Sequence, residues 1–215
     1  MTTDISFLIK NYVKLQSVEF LPEIKLYTAD DHYFHSLLKQ ETNNEYVAYP
    51  QWVHAWAGGR GLARFILDNP NLVKGKVVVD HASGSGIVGI AAALAGATVT
   101  CVDNDPYALQ SIEINAKANN VDLNISDKLV DAEILTAGCP WFKKLDGTLI
   151  QKELDTIKSY DSVYLGYKLL RGEYYNGFFD KNQFEILERY VVPTEVYTEG
   201  VTSRDVIILT HKKGE

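Results

Sequence analysis

The sequence predicts an α/β protein built on a mostly parallel sheet with helices on its faces. Three observations carry this: strand and helix patterns alternate from Lys76 onward, a glycine-rich loop joins the first strand to its helix, and an aspartate ends each of the first two strands. The stretch VVVDHASGSGIVGIAAALAGATVTCVDNDPYAL contains all three. Strands are predicted over 77–80, 98–103 and 121–125, and helices over 87–95 and 106–119.

Ahead of this core, Ile5, Leu8, Ile9, Tyr12, Val13 and Leu15 fall near one helical stripe within 5–18. LPEIKLYTA alternates after Pro22 and suggests a strand or extended arm, and DDHYFHSLLKQ offers Asp30 or Asp31 as the N-cap of a second short helix. Residues 1–50 thus read as an N-terminal helical and extended cap, and 51–215 as the main domain. YPQWVHAWAGGRGLARFILDNPNLVKGK predicts a further helix with Leu62, Phe65 and Ile66 on its apolar face, ended by Pro70. The helix GIVGIAAALAGA is rich in Ala and Gly, which lets it lie close to the sheet, and Gly96 supplies a left-handed stop. Past Ser126 the pattern weakens. YDSVYLGYKLL, YVVPTEVYT and RDVIILTHK still read as strands, the last two as an antiparallel pair around EGVTSR.

A chain of 215 residues, 46% apolar, can bury a core of ordinary density, and its length demands no more than one main domain. The net charge of −7 argues against a general affinity for nucleic acid or anionic membranes, both of which bind positive faces. The start has no basic segment before an apolar run, and no uncharged stretch reaches the roughly 18 residues of a membrane span. Two cysteines, Cys101 and Cys139, lack C-x-x-C spacing and suit a reducing compartment, so the expected location is the cytoplasm.

Gly84, Gly86 and Gly89 satisfy G-x-G-x-x-G, which in dinucleotide enzymes brings backbone close to a pyrophosphate at a helix N-terminus. Asp80, just before the loop, would repel that anion. A sulfonium and an α-ammonium group would be attracted instead, so D-x-x-x-G-x-G is the chemistry expected for S-adenosylmethionine. Asp103 could accept both hydroxyls of a ribose and does not discriminate between the two ligands.

The runs DHASGSGIVGIAAALAGA, VDNDPYAL and INAKANNV resemble motifs I and II of class I methyltransferases. The similarity is strongest to the branch holding ribosomal-protein methyltransferases and the lysine methyltransferases of the electron-transfer flavoprotein β subunit. The upstream segment resembles that branch's A-W-P-G-G stretch at the same spacing from motif I, and ERYVVPTEVY extends the match. The resemblance implies a Rossmann-like seven-stranded sheet, mostly parallel with an antiparallel C-terminal strand. It implies S-adenosyl-L-methionine as cofactor and a protein substrate, either the flavoprotein β subunit or a ribosomal protein, methylated on lysine. Carried over residue by residue, Asp80, Gly84 and Gly86 would hold the methionine end, with Ser83 and Ser85 as loop donors. Asp103 would hold the ribose, with Asn104 and Asp105 beside it, and Asp127 would meet the adenine amine. Trp56, Gly58 and Gly59 would line the pocket.

Two departures stand out. The motif's first glycine is Ala82, and Ala57 replaces the proline of A-W-P-G-G. The family's fourth strand ends in a G-D-x-x-Y-type motif at the transfer site, for which two registers compete. In the preferred one PWFKKLDGTLI is the fourth strand, LIQKELDTIKSY the next helix and YDSVYLGYKLLRGEYY the fifth strand, with Asp146 near the acidic position as the group that orients the lysine and takes its proton. In the other, YDSVYLG is the fourth strand, and no acidic residue follows before Glu173. Of the five histidines, His32 and His35 have ligand-like spacing without a clear third ligand, and His81 could line the pocket. The aromatic run EYYNGFFDKNQF reads as sheet packing. A cofactor-binding protein without transfer activity, motivated by Ala82 and the unclear fourth strand, and an NAD(P)-dependent oxidoreductase remain as alternatives.

Overall fold

The computed structural model describes residues 3–29, 31–140, 151–169, 178–193 and 203–212. Its centre is a seven-stranded sheet formed by β3 (Val77–His81), β4 (Thr98–Val102), β5 (Asn124–Ser126), β6 (Ile134–Ala137), β7 (Ser162–Lys168), β8 (Glu185–Pro193) and β9 (Ser203–Lys212), in the order β5-β4-β3-β6-β7-β9-β8. β3 to β7 run parallel, and β9 is antiparallel to both its neighbours, as the sequence led us to expect. The strand order reverses at β3, where β4 lies on one side and β6 on the other. In open α/β sheets the crevice for a ligand forms beyond the carboxyl ends of the strands at such a point.

Both faces of the sheet are covered. On one side α3 (Ala57–Asp68) and α4 (Ile87–Leu94) bury Leu62, Ile66, Ile90 and Ala91 against Val78, Val99 and Ile208. On the other, α6 (Gln151–Lys158) and α7 (Phe178–Lys181) accompany a cluster of Leu154, Ile157, Phe179 and Phe184 over Val79, Leu135 and Leu209. Each fully buried Leu, Ile or Phe contributes about 1.5–3 kcal/mol. Phe179 and Phe184 of the aromatic run are therefore core, as expected.

The first turn of α3 lies almost on the strand ends. A Cβ at Gly58 would stand 2.1 Å from the Gly138 carbonyl oxygen and 2.4 Å from that of Gly166, and one at Gly166 would meet the Gly58 oxygen at 2.1 Å. Glycine is required here by backbone contact, because nothing wider fits between helix and sheet.

The N-terminal part differs from the expected single helical stripe. α1 (Ser6–Tyr12) stops at Val13, which is extended, and β1 (Lys14–Val18) pairs antiparallel with β2 (Leu21–Thr28) from Lys14↔Thr28 to Ser17↔Lys25. The alternating LPEIKLYT supplies a partner strand, and cross-strand pairing overrides the helical periodicity that Leu15 and Val18 continue. α2 (Asp31–Thr42) forms as predicted, while Asp30 lies outside the described residues. α5 (Pro106–Ala118) fastens this region to the sheet through amide side chains. Gln110 accepts from the Ile5 N–H and donates to the Thr3 carbonyl, Asn115 accepts from the Tyr27 N–H, and Asn119 both accepts from Lys25 N–H and donates to its carbonyl. Ile5, Leu8, Phe34 and Leu38 share a buried cluster with Trp52 and Ala108.

The fourth strand requires a correction. Between β3 and β7 lies β6, residues Ile134–Ala137, in place of the expected PWFKKLDGTLI. It is only four residues long and wholly buried, so it lacks the alternation that marks a half-exposed strand. The fifth strand and the preceding helix fall where the preferred register put them. Asp146 lies outside the described residues, nine positions beyond the end of β6. Among the described residues no helix is long and apolar enough to cross a membrane.

Candidate functional site

The glycine loop leaves β3 after His81 and enters α4 at Gly86. It is held by carboxylates on both sides. Asp80 is buried and accepts bonds from the Ser83 hydroxyl, from Thr136 Oγ1 at 3.0 Å and from the Gly89 N–H at 3.1 Å. Asp103, just past β4, accepts from the Gly84 N–H at 2.8 Å and from the Asp105 N–H at 3.0 Å. Ser83 N–H donates to the Val102 carbonyl, and Gly86 N–H closes a turn on the Ser83 carbonyl. Gly84 and Gly86 have φ of +56° and +82°, conformations that glycine adopts without strain.

Ala82 stands in the same left-handed region at φ +52°, so the position that the motif gives to glycine does need positive φ, and the alanine there is strained. Ala82 is exposed.

Burial pushes the Asp80 carboxyl up to about 6, against the lowering effect of the bonds from Ser83, Thr136 and Gly89. Asp105 is raised by burial, offset in part by the Tyr107 N–H that it caps, and raised further by the Asp103 charge. For His81, burial works downward, but the Glu153 carboxylate and the charges of Asp80 and Asp103 carry it above its ordinary value. Its Nε2 lies 3.2 Å from both oxygens of Glu153. The Gly84 amide of the loop and the Gly89 amide in the first turn of α4 already face carboxylate oxygens. A pyrophosphate would meet like charge where it needs free N–H groups, whereas a cationic ligand would meet the negative field of two aspartates.

The expected site residues divide by position. Asp80, Ser83, Gly84, Ser85, Gly86 and Asp103 come together around the loop, and Asn104 is exposed beside them. Asp80 braces the loop through its contacts with Ser83, Thr136 and Gly89. Asp105 is the N-cap of α5. Asp127 is exposed directly after β5, at the same carboxyl end of the parallel strands as Asp103. Trp56 precedes α3 with its indole N–H on the Gln51 carbonyl at 2.8 Å, 37% exposed, and Lys168 Nζ lies 5.8 Å from its ring centre. Gly58 and Gly59 are buried packing positions at the helix–sheet crossing.

With the fourth strand at Ile134–Ala137, the residues that follow are Gly138, Cys139 and Pro140. The G-D pair of the resembled motif then falls on Gly138 and Cys139, and a thiol stands where a carboxylate was expected. Burial raises that thiol, while the N–H groups of Gly59 and Gly58 and the charges of Lys168 and Arg60 act in the opposite direction.

Sequence reasoning missed Thr136, the Glu153 partner of His81, and Trp52. Trp52 is buried in a short 3-10 turn, with its Cα 4.0 Å from where a Cβ on Gly84 would be. Thr136 had one available signal, a hydroxyl interrupting the apolar ILTA run. His35, by contrast, is structural: its Nε2 is 3.0 Å from the Val47 carbonyl oxygen.

Comparison with known proteins agrees with this geometry. Residues 65–138 match the family model of ribosomal protein L11 methyltransferase (PrmA). The electron transfer flavoprotein β-subunit lysine methyltransferase of Rattus norvegicus is 43% identical over 74 residues, covering 34% of this chain and 29% of that protein. The protein of the same name from Danio rerio is 34% identical over 121 residues, covering 54% and 45%. The matches thus span less than half the length of these curated relatives. Among solved structures, the Thermus thermophilus 16S rRNA N2 G1207 methyltransferase aligns over 95% of this chain and 51% of its own, with a TM-score of 0.59 at 15% identity. The fold is therefore that of the class I methyltransferases, and residues 65–138 are the segment in which this chain resembles the ribosomal protein L11 methyltransferase family.

Proposed function

We propose that the chain is an S-adenosylmethionine-dependent methyltransferase that acts on a lysine side chain of a protein. The observation that carries this is the pair of aspartates, Asp80 and Asp103, at the ends of adjacent parallel strands around one glycine loop. Asp103 holds the Gly84 amide and Asp80 the Ser83 hydroxyl and the Gly89 amide of α4, and together they favour a ligand with positive charge and a ribose over a dinucleotide. The names of the relatives support a protein acceptor, with the electron-transfer flavoprotein β subunit and ribosomal protein L11 as the first candidates. The absence of a long apolar helix among the described residues is compatible with action in the cytoplasm.

S-adenosylmethionine, when bound, supplies an electrophilic methyl group on a sulfonium. The chain's task is alignment: Gly84 and Gly86 give the loop its close turn, Asp103 offers its carboxylate to the ribose, and Asp127 and Trp56 flank the crevice. A lysine acceptor must first lose a proton, leaving its lone pair free to form the new N–C bond as the C–S bond breaks. With β6 at Ile134–Ala137 the strand-end argument for Asp146 no longer holds, and Gly138 and Cys139, which follow β6, offer no carboxylate to take that proton.

Calorimetric titration of the purified chain with S-adenosylmethionine and, separately, with NADH tests the proposal. Micromolar binding of the first alone is expected, followed by transfer of labelled methyl to protein in a cell extract. Binding of NADH alone would overturn it. Binding without transfer would select a cofactor-binding protein, the reading that Cys139 favours.

A further inference from the structure

We infer that Asn115 is a positioning residue for the glycine loop, and that through it the N-terminal hairpin β1–β2 forms part of the cofactor site. The inference rests on the proposed cofactor.

Asn115 is fully buried in α5 and satisfied on both ends of its amide. Its Nδ2 donates to the Ser85 carbonyl at 2.9 Å, and its Oδ1 accepts from the Tyr27 N–H at 2.9 Å. Ser85 is the middle residue of G-S-G, and it too is buried, so its carbonyl would otherwise be an unpaired acceptor. Fixing that carbonyl also fixes the plane of the Ser85–Gly86 peptide. Its N–H then points to the Ser83 carbonyl and closes the turn at 2.9 Å. One helical turn earlier, Ile112 supports Gly86 from the same side: a Cβ on that glycine would touch Ile112 at 3.4 Å.

Gln110 and Asn115 of α5 and Asn119 at its C-cap hold the N-terminal region, but among these three Asn115 alone also holds the loop. Asn119, one turn on, repeats the hairpin contact by binding both backbone groups of Lys25. The two asparagines, four residues apart, therefore act on β2 as a neighbouring strand would, while Asn115 transmits the hairpin's position to the loop. Loss of the Tyr27 bond would free the Asn115 side chain to rotate and release Ser85.

Asn119 supplies the control. Asn115→Ala should weaken S-adenosylmethionine binding about tenfold, the cost of one unpaired buried carbonyl. It should also speed amide hydrogen exchange at Gly86 and Tyr27 together. Asn119→Ala, compared after allowing for any loss of melting temperature, should change affinity less than about twofold and speed exchange at Lys25 alone. Should Asn115→Ala fail to fold, Asn115→Asp decides: it keeps the acceptor for Tyr27 but sets an oxygen against the Ser85 carbonyl, so affinity should fall with Tyr27 still protected. Affinity within about twofold of wild type in a folded Asn115 variant would overturn the inference. Failure of the wild-type chain to bind S-adenosylmethionine would overturn the proposed function instead, and exchange at Gly86 in the variants would still decide whether Asn115 controls the loop.

Discussion

Gly58→Ala separates a packing role from a ligand-binding role at the first turn of α3. In an isolated helix this change is favourable by up to about 1 kcal/mol, because alanine loses less backbone entropy. In the protein the new methyl would lie 2.1 Å and 2.4 Å from two carbonyl oxygens, those of Gly138 and Gly166. Neither atom is the far end of a flexible side chain. To reach ordinary contact α3 would have to lift by about 1 Å, loosening Leu62 and Ile66 from the sheet. Overpacking of this kind costs about 3 kcal/mol, leaving a net loss of about 2 kcal/mol after the propensity gain. For a chain of this size that is a fall in melting temperature of about 4–8 °C. Thermal unfolding followed by circular dichroism, without added ligand, reads it directly. A variant that melts within about 1 °C of wild type would refute the packing argument. A loss of S-adenosylmethionine affinity at unchanged melting temperature would return Gly58 to the pocket.

Ala82→Gly should raise stability by about 0.5–1 kcal/mol, since the left-handed strain it removes exceeds the entropy that glycine adds to the unfolded chain; a lower urea midpoint would contradict this. Asp80 holds its proton more tightly in the folded state than in the unfolded chain. The stability that depends on it therefore rises as pH falls from about 6 toward 4 and is lost as pH rises back through about 6, and Asp80→Asn should lack that component when urea midpoints are compared across the range. Asp103→Asn should weaken S-adenosylmethionine binding by about tenfold in calorimetry, with equal affinity removing Asp103 from the site. Glu153→Gln should lower the titration midpoint of His81 followed by its ring protons in NMR, because it removes the carboxylate that opposes burial.

Much of this was legible in the sequence where periodicity and punctuation agree. β3, α4, β4 and α5 follow directly from apolar runs bounded by Asp80, Gly86, Gly96 and Pro106. The antiparallel pair β8 and β9 was read with one end displaced: β8 begins at Glu185, five residues ahead of the expected YVVPTEVYT, whose last five residues lie outside the described residues. β6 was not legible: four consecutive buried residues offer no alternation, and a count back without gaps from ERYVVPT put the strand downstream. That shift moved Asp146 onto a strand end and hid Cys139. The end of α1 failed for the opposite reason, since Leu15 and Val18 continue a helical stripe while their backbone is committed to β2. The loop residues were read as one group, yet the hydrogen bonds that hold them join Asp80 to Thr136 and Ser85 to Asn115. Such pairs are distant in sequence, and local pattern does not encode them.

The placement of β9 between β7 and β8 has a consequence for synthesis. A nascent chain acquires its strands in sequence order, so β8 emerges from the ribosome before the strand that joins it to the sheet. Until β9 follows, β7 is an open edge with unpaired backbone groups, and β8 is a tethered segment with no site to dock on. Closure of that half of the sheet therefore waits for β9, and a stalled or truncated chain would expose an edge to pairing with other polypeptides.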